Sequence, residues 1–557
     1  MYLELRRNWR YLRGNIEMKF NGIKTATNRI SKPLLAAAIF HWLITFGTDR
    51  IFFEYNLFSF GSAKEATLSV YSWTVKFMFL LLLMVLYQMA GILVQKWQKN
   101  YIQVKESMKF AGIYFLLMMI LLLAVYPGAW RMDEFGILRD AKTLMPTFWQ
   151  GYLTSYFYIF SLMILPIPVG VVVIQCGVIS VIVGYLCERV GSKLNLKHKL
   201  WLLLPFFAFP VLDSNVYPMR MSVYVFLELL LAALFLFAIW EKRTLTKSEK
   251  WVVIILTAIV TVWRTEAIYY SVWIPMIYLL IFWKKEEKRE KIFMVAKVVV
   301  LTLLVMFPQT LGNKMVSGDQ YEITSMVLPI APLLCEAEVQ GETSLMETID
   351  KVLDTELMIE GYKSGKSGIS VFWSEPLLIR GDYTSGEYKE FKSAYYKLIM
   401  KFPVVFLKER ANTFFNSNGI LMNTTELYDT DEVANYVEFR ENYKGNHAIS
   451  AQLRKTVLSI LECRSLQDYN EKNLFHKVVW SILPQLIVLL IVLIISIVKR
   501  KWQIFMVLAG LLGKVPLIFL TAPSLLFMYY YGIYLTGNVV LVYGIYFLYG
   551  KYKGKQV

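Results

Sequence analysis

Long apolar runs alternate with short basic loops along most of this chain. The runs are Leu34–Phe46 (reaching toward Phe53), Phe77–Val94, Phe110–Tyr126, Val169–Leu186, Leu200–Leu212, Met221–Trp240, Trp251–Trp263, Ala267–Trp283, Ile292–Leu311, Val478–Val498, Ile504–Leu520 and Leu525–Leu548. Most approach the roughly 20 residues that a helix needs to cross a bilayer. In lipid every backbone polar group must be satisfied internally, so continuous apolar runs read as helices. The pattern predicts an all-α integral membrane protein with about 12 transmembrane helices. A further apolar stretch, Tyr152–Leu165, is cut off from the next run by Pro166 and Pro168. Proline interrupts a helix, so this stretch reads as an interfacial or re-entrant helix.

Charge orients the pattern. The 557 residues are 56% hydrophobic and 18% charged, with a formal net charge of +17. The one long polar segment, Asn313–His476, holds 17 Lys and Arg against 24 Asp and Glu, a net −7, which leaves +24 on the remainder. The basic charge therefore lies in the leader, the short loops and the tail, as the positive-inside rule expects of cytoplasmic segments. A multi-pass plasma-membrane protein with both termini cytoplasmic follows. No nucleic-acid partner is needed to explain the charge. No signal peptide is expected, because the first apolar run comes after a strongly basic leader.

Five regions result: a basic leader (1–33), an N-terminal hairpin (34–109), a membrane core (110–312) whose first loop spans 127–151, an extracytoplasmic segment (313–476) and a three-helix C-terminal portion (477–557). The extracytoplasmic segment reads as a folded, mainly helical domain. Ser344-Leu345-Met346-Glu347 has capping-box spacing. Leu345, Ile349, Val352, Leu353 and Leu357 recur at helical intervals, with Gly361 available to end the helix. A second helix starts near Glu387 and uses Tyr388, Phe391, Tyr395 and Leu398, and Pro403 opens a third. Cys335 and Cys463 both fall here, so a disulfide is open to them.

Soluble-enzyme motifs are absent. The four histidines lack metal-ligand spacing, and Gly361–Ser367 is one residue short of a P-loop. His41 and Lys514, inside apolar runs, read as packing or snorkelling residues. The chemistry concentrates elsewhere. Asp133 and Glu134 follow the outward-going run Phe110–Tyr126, flanked by Trp130 and Phe135, residue types that favour the membrane interface. The runs Leu200–Leu212 and Trp251–Trp263 have only about 13 residues and cover roughly 20 Å of a roughly 30 Å hydrocarbon layer. Charged residues follow each: Asp213 and Arg220 after the first, Arg264 and Glu266 after the second. Charges at that depth require a bundle interior or a water-filled cavity. The group offers a carboxylate that can take a proton from a hydroxyl and guanidinium groups that can grip a phosphate bidentately. Its spare carboxylates can hold a divalent cation such as Mg or Mn. Each charge alone is better explained as a helix-end or interface residue or half of a structural ion pair; the two short runs turn the balance toward a cavity for the group.

The acidic loop motif YPGAWRMDEFGIL (126–138), the interfacial helix after it and the charged ends of short helices resemble the GT-C superfamily of polytopic glycosyltransferases. The stretch EYKEFKSAYYKLIMKFPVVFLKERANTF (387–414) is similar to one common in uncharacterised bacterial relatives of that family. The resemblance runs from about Phe110 to about Phe415. It implies an inverting transfer of a sugar from a polyprenyl-phosphate donor to an envelope glycan or lipid acceptor on the extracytoplasmic face. Asp133, with Glu134, takes the catalytic role, Arg220 and Arg264 hold the donor phosphate, and Asp213 and Glu266 bind a metal or orient the acceptor. In most of the family the acidic loop follows the first span; here it follows the third, which makes the hairpin before it an addition. Two other readings stand beside this one: a polymerase or ligase acting on lipid-linked glycan, and a transporter or flippase. The absence of two related halves weighs against the transporter.

Overall fold

The structure, a computed structural model, describes residues 31–130, 132–196, 198–316, 318–418, 447–461 and 478–552. Among these residues the regular structure is helical, with one isolated antiparallel bridge between Leu353 and Ile379. The membrane helices are α1 (Lys32–Thr48), α2 (Ala63–Gln98), α3 (Ile102–Ala124), a short α4 (Met132–Ala141), α5 (Tyr152–Ile164), α6 (Val169–Lys193), a short α7 (Phe209–Val216), α8 (Arg220–Trp240), α9 (Lys247–Trp263), α10 (Tyr270–Phe282) and α11 (Lys288–Val316). A helical domain follows: α12 (Gln320–Thr324), α13 (Val327–Val339), α14 (Thr343–Asp350), α15 (Thr355–Lys363), α16 (Gly368–Phe372), α17 (Ser385–Lys401), α18 (Pro403–Ser417) and α19 (Ala451–Leu461). The chain closes with α20 (Leu483–Val498), α21 (Trp502–Leu512), α22 (Lys514–Thr521) and α23 (Tyr531–Tyr552).

Among the described residues, nine helical stretches are long and apolar enough to cross a membrane, or ten with one bent pair counted as a span. That is fewer than the sequence pattern suggests, and three runs account for the difference. Residues 199–216 form a 3-10 turn and α7, bent by 73°, where Pro205 and Pro210 each remove a backbone donor. The other two are α9, with 17 residues, and α20, with 16, which at 1.5 Å per residue span roughly 25 Å. Conversely, α2 has 36 residues, roughly 54 Å, because Ser62 caps it well before its apolar run begins. It outreaches the bilayer.

The middle of the bundle is α6 and α8, whose apolar windows are 67% and 78% buried; α2 is only 11% buried and faces outward. Crossing of α3 against α6 is close at Gly184, where a Cβ would lie 2.4 Å from the Ser107 carbonyl oxygen. Only glycine fits there, and small residues at helix crossings are how membrane helices gain dispersion contact.

Among the described residues, two ion pairs have both side chains almost fully buried. Lys76 Nζ is 2.7 Å from Asp49 Oδ2 and 2.6 Å from Thr45 Oγ1, and Tyr55 also donates to Asp49. Lys514 Nζ is 2.6 Å from Glu228 Oε2, and Tyr270 donates to Glu228 Oε1 at 2.6 Å. Lys514 is therefore not a snorkelling residue: its side chain is 1% exposed and fully engaged with a carboxylate on α8. His41 is the packing residue expected, with Nδ1 3.2 Å from the Tyr87 hydroxyl.

The N-terminal hairpin has a place in the architecture. Glu54 N donates to the Lys142 carbonyl, Tyr71 donates to the Leu144 carbonyl, and Phe79 stacks on Phe160. It therefore braces the segment between α4 and α5 from one side.

The polar segment folds around its own apolar core, with α13 at its centre. Thr384 and Glu387 form a reciprocal capping box for α17, and Pro403 starts α18. The box expected at Ser344–Glu347 does not form: α14 begins at Thr343 with no side-chain cap. The single helix expected up to Gly361 is two, α14 and α15, because Leu353 leaves the helical path to bridge Ile379 and Asp354 caps the new start. On α18, Arg410 is fully buried and its Nη1 donates to the Ala522 carbonyl at 3.0 Å, tying the domain to the C-terminal helices. Cys463 lies outside the described residues, so the disulfide expectation has no structural counterpart here.

At the far end of the bundle, Arg189 pairs with Glu241 at 2.7 Å, Arg243 with Glu249 at 2.6 Å and Lys250 with Glu286 at 3.0 Å. The positive-inside rule leads one to expect the cytoplasm at this end. With the native cysteines replaced, a cysteine at exposed Gly341 should react with an impermeant thiol reagent on intact cells, and one at exposed Lys285 should not. The reverse pattern would put the helical domain in the cytoplasm.

Candidate functional site

The segment before the acidic pair is folded inward. Ala129 N donates to the Val216 carbonyl at 3.0 Å, which docks the segment on the end of α7. Gly128, at φ +107°, lets the backbone come that close: a Cβ would sit 2.9 Å from the same carbonyl oxygen. Trp130 and Phe135 are 1% and 4% exposed and stack on each other, with Tyr158 packed edge-on against Trp130. They are the packing core of the loop and not interface anchors. From α19, which packs on the bundle core, Arg454 donates Nη1 to the carbonyls of Val125, Tyr126 and Gly128. A buried guanidinium thus ties together three carbonyls of one turn.

This frame separates the two carboxylates. Asp133 and Glu134 both lie in the first turn of α4, about 100° apart around its axis. Asp133 is exposed; Glu134 is 3% exposed and accepts a hydrogen bond from the Tyr217 hydroxyl at 2.7 Å. Tyr158, on α5, donates to the Pro218 carbonyl at 2.6 Å. So α4 and α5 both clasp the short link that leads into Arg220 at the start of α8.

Arg220 lines a cleft together with Arg264, Trp149, Gln150, Gly151 and Tyr321. Arg264 is 5% exposed, and its Nε and Nη2 each lie 2.8 Å from Glu266 Oε1. The ring of Tyr529, from the segment leading into α23, sits 5.7 Å from the Arg264 guanidinium. The cleft wall is held by Gln309 of α11. Its Oε1 accepts from Tyr152 N and its Nε2 donates to the Phe148 carbonyl, both at 2.9 Å. Gly151, at φ +89°, makes the turn between them.

Arg220 and Arg264, which follow the two short runs in sequence, line one cleft. The six predicted residues do not all meet in the cleft. Glu266 serves as the counter-ion of Arg264. Asp213 is fully buried in α7, in a run with Ser214 and Asn215 that are equally buried. Among the described residues no three His, Cys, Asp or Glu side chains converge on a point that could hold an ion. Glu266 is engaged by Arg264, and Asp213 is enclosed within α7.

Sequence reasoning passed over Tyr217, Gln309, Tyr529 and Arg454. Arg454 left a usable trace, because it shares a helix face with Leu458 and Leu461, at i+4 and i+7. A cation on an apolar stripe is a candidate for a buried anchor. The others left none, since their partners are more than 80 residues away.

The chain matches no family model, and no curated protein and no solved structure is similar to it.

Proposed function

We propose that this is an integral-membrane, inverting glycosyltransferase of the GT-C type. It moves a sugar from a polyprenyl-phosphate donor to a hydroxyl of an envelope glycan or lipid. One observation carries the reading: an exposed carboxylate, Asp133, and two guanidinium groups, Arg220 and Arg264, lie at the same end of the bundle. Glu134, next to Asp133, accepts from Tyr217 on the link that leads into Arg220, and Arg220 shares a cleft with Arg264. A polyprenyl tail needs lipid, and its phosphate needs cations at the edge of lipid. The cleft supplies the two cations.

In the proposed step the acceptor oxygen attacks the anomeric carbon from the face opposite the phosphate. The carbon–phosphate-oxygen bond breaks, the polyprenyl phosphate leaves with the bonding electrons, and Asp133 takes the hydroxyl proton. Arg220 and Arg264 hold the phosphate and balance the charge that it gains. Glu266 keeps the Arg264 fork oriented, and Glu134, locked to Tyr217, sets the angle of α4.

Arginine-to-lysine changes test the phosphate role. Lysine keeps the charge and loses the planar fork. Arg220→Lys and Arg264→Lys should each weaken binding of a polyprenyl phosphate by about tenfold, or about 1.4 kcal/mol, with protein yield unchanged. Native affinity in both variants would take the phosphate away from these residues.

A further inference from the structure

Beside the arginine cleft lies an aromatic group assembled from three separate stretches of chain. Trp149 comes from the loop before α5, Tyr321 from α12 and Trp373 from the end of α16. The ring of Trp149 sits 5.1 Å from that of Tyr321, at 83°, and 5.8 Å from that of Trp373, at 67°. Trp149 and Tyr321 also line the cleft with Arg220 and Arg264. Tyr321 Oη is 3.4 Å from Thr265 Oγ1, so its hydroxyl is turned toward the residue next to Arg264. Trp373 is 66% exposed although it is the largest side-chain type and stands next to a packed core.

We propose that Trp149, Tyr321 and Trp373 form a platform for a pyranose ring. The proposal rests on the glycosyltransferase reading of the neighbouring arginines. A pyranose has apolar faces of C–H groups and a rim of hydroxyls. An indole face covers such an apolar face and leaves the rim to polar groups around it, here Thr265, Tyr321 and the arginines. Near-perpendicular rings make a corner and not a flat stack, so two faces of one bound sugar are covered at once. Binding sites commonly combine aromatic walls with a few placed polar groups in this way. The platform also explains why the helical domain must sit on the membrane core: Trp373 is its contribution to the site. A sugar seated in the corner lies beside the phosphate cleft, so the occupant is the donor's own sugar.

The test compares binding, by native mass spectrometry in detergent, of three probes: bare polyprenyl phosphate, polyprenyl phosphoryl-glucose and soluble cellotetraose. Glucose is chosen because its equatorial substituents leave both faces apolar. The native protein should bind the glucosyl lipid about five- to tenfold more tightly than the bare phosphate, the scale of one good aromatic contact. Trp373→Ala should erase that increment and leave the affinity for bare polyprenyl phosphate unchanged. Trp373→Phe, which keeps a ring, should retain most of it. Trp373-dependent binding of cellotetraose with no increment for the glucosyl lipid would uphold the platform and assign it to the acceptor. An increment that survives Trp373→Ala, or sugar that adds nothing in either form, overturns the platform and makes Trp373 a membrane-interface anchor. Native protein that binds bare polyprenyl phosphate no better than Arg220→Lys overturns the phosphate reading instead, whatever the sugar does.

Discussion

Asp133→Asn should yield a folded, membrane-inserted protein that binds a polyprenyl-phosphate donor with native affinity and transfers its sugar about 10²–10⁴-fold more slowly. A sugar hydroxyl is a weak nucleophile at neutral pH, and removing its proton as the bond forms is the contribution a carboxylate can make. Asparagine keeps the shape and cannot accept that proton. Asp133 is exposed, so the substitution removes no buried partner. Glu134→Gln should behave differently. It alters a buried hydrogen bond to Tyr217 at 2.7 Å, so its first effect is on the packing of α4 against the Tyr217–Pro218 link. Transfer by Asp133→Asn at close to the native rate, in an assay with a lipid-linked sugar, removes Asp133 from the mechanism. A dead Glu134→Gln with normal folding and a live Asp133→Asn would move the base by one residue.

Breaking the ion pair between Glu228 and Lys514 should cost stability on a similar scale. Either Glu228→Gln or Lys514→Met leaves one charge without its partner in the bundle interior, and such losses run to about 3–5 kcal/mol. The double variant, Glu228→Gln with Lys514→Met, carries no buried charge and keeps an amide oxygen for the Tyr270 hydroxyl. It should recover most of the loss, because replacing both ions spares both desolvation costs. Unfolding in detergent, followed by heat or by denaturing detergent, reads all four proteins of this cycle. Single variants as stable as the native protein would mean that water reaches the pair. A double variant as unstable as the sum of the singles would mean that each side chain acts through separate contacts.

The pair also marks what a linear reading cannot resolve. Lys514 in an apolar run is visible as an anomaly, and snorkelling is a fair expectation when no partner is in view. Its partner is 286 positions away on α8. Glu228 sits within an otherwise apolar run, and nothing local distinguishes a charge paired in the interior from one facing a cavity. The same holds for Glu266. Two residues from Arg264, it could have been a metal ligand, an acceptor group or a counter-ion, and only the 2.8 Å approach of the guanidinium distinguishes these.

Trp130 and Phe135 are a different case. Their position just past an apolar run fits an interfacial belt, a statistical preference of aromatics that carries no direction. Packing on the Tyr158 ring and docking of Ala129 on Val216 turn them inward, and this is what separates exposed Asp133 from buried Glu134.

By itself the sequence determined that the chain is helical and membrane-spanning, where most helices lie, and that one polar segment folds on its own. Those features follow from local physics: run length against bilayer thickness, the need to close backbone hydrogen bonds within a segment, and apolar spacing. It also singled out Arg220 and Arg264, which line one cleft. Only the tertiary structure decided which carboxylate is accessible and which is locked. It alone paired Arg264 with Glu266, enclosed Asp213, lengthened α2 beyond its apolar run and bent residues 199–216 by 73°. Each of these depends on side chains or carbonyls brought together from distant parts of the chain. The energy of such contacts comes from desolvation and geometry, which no periodicity records.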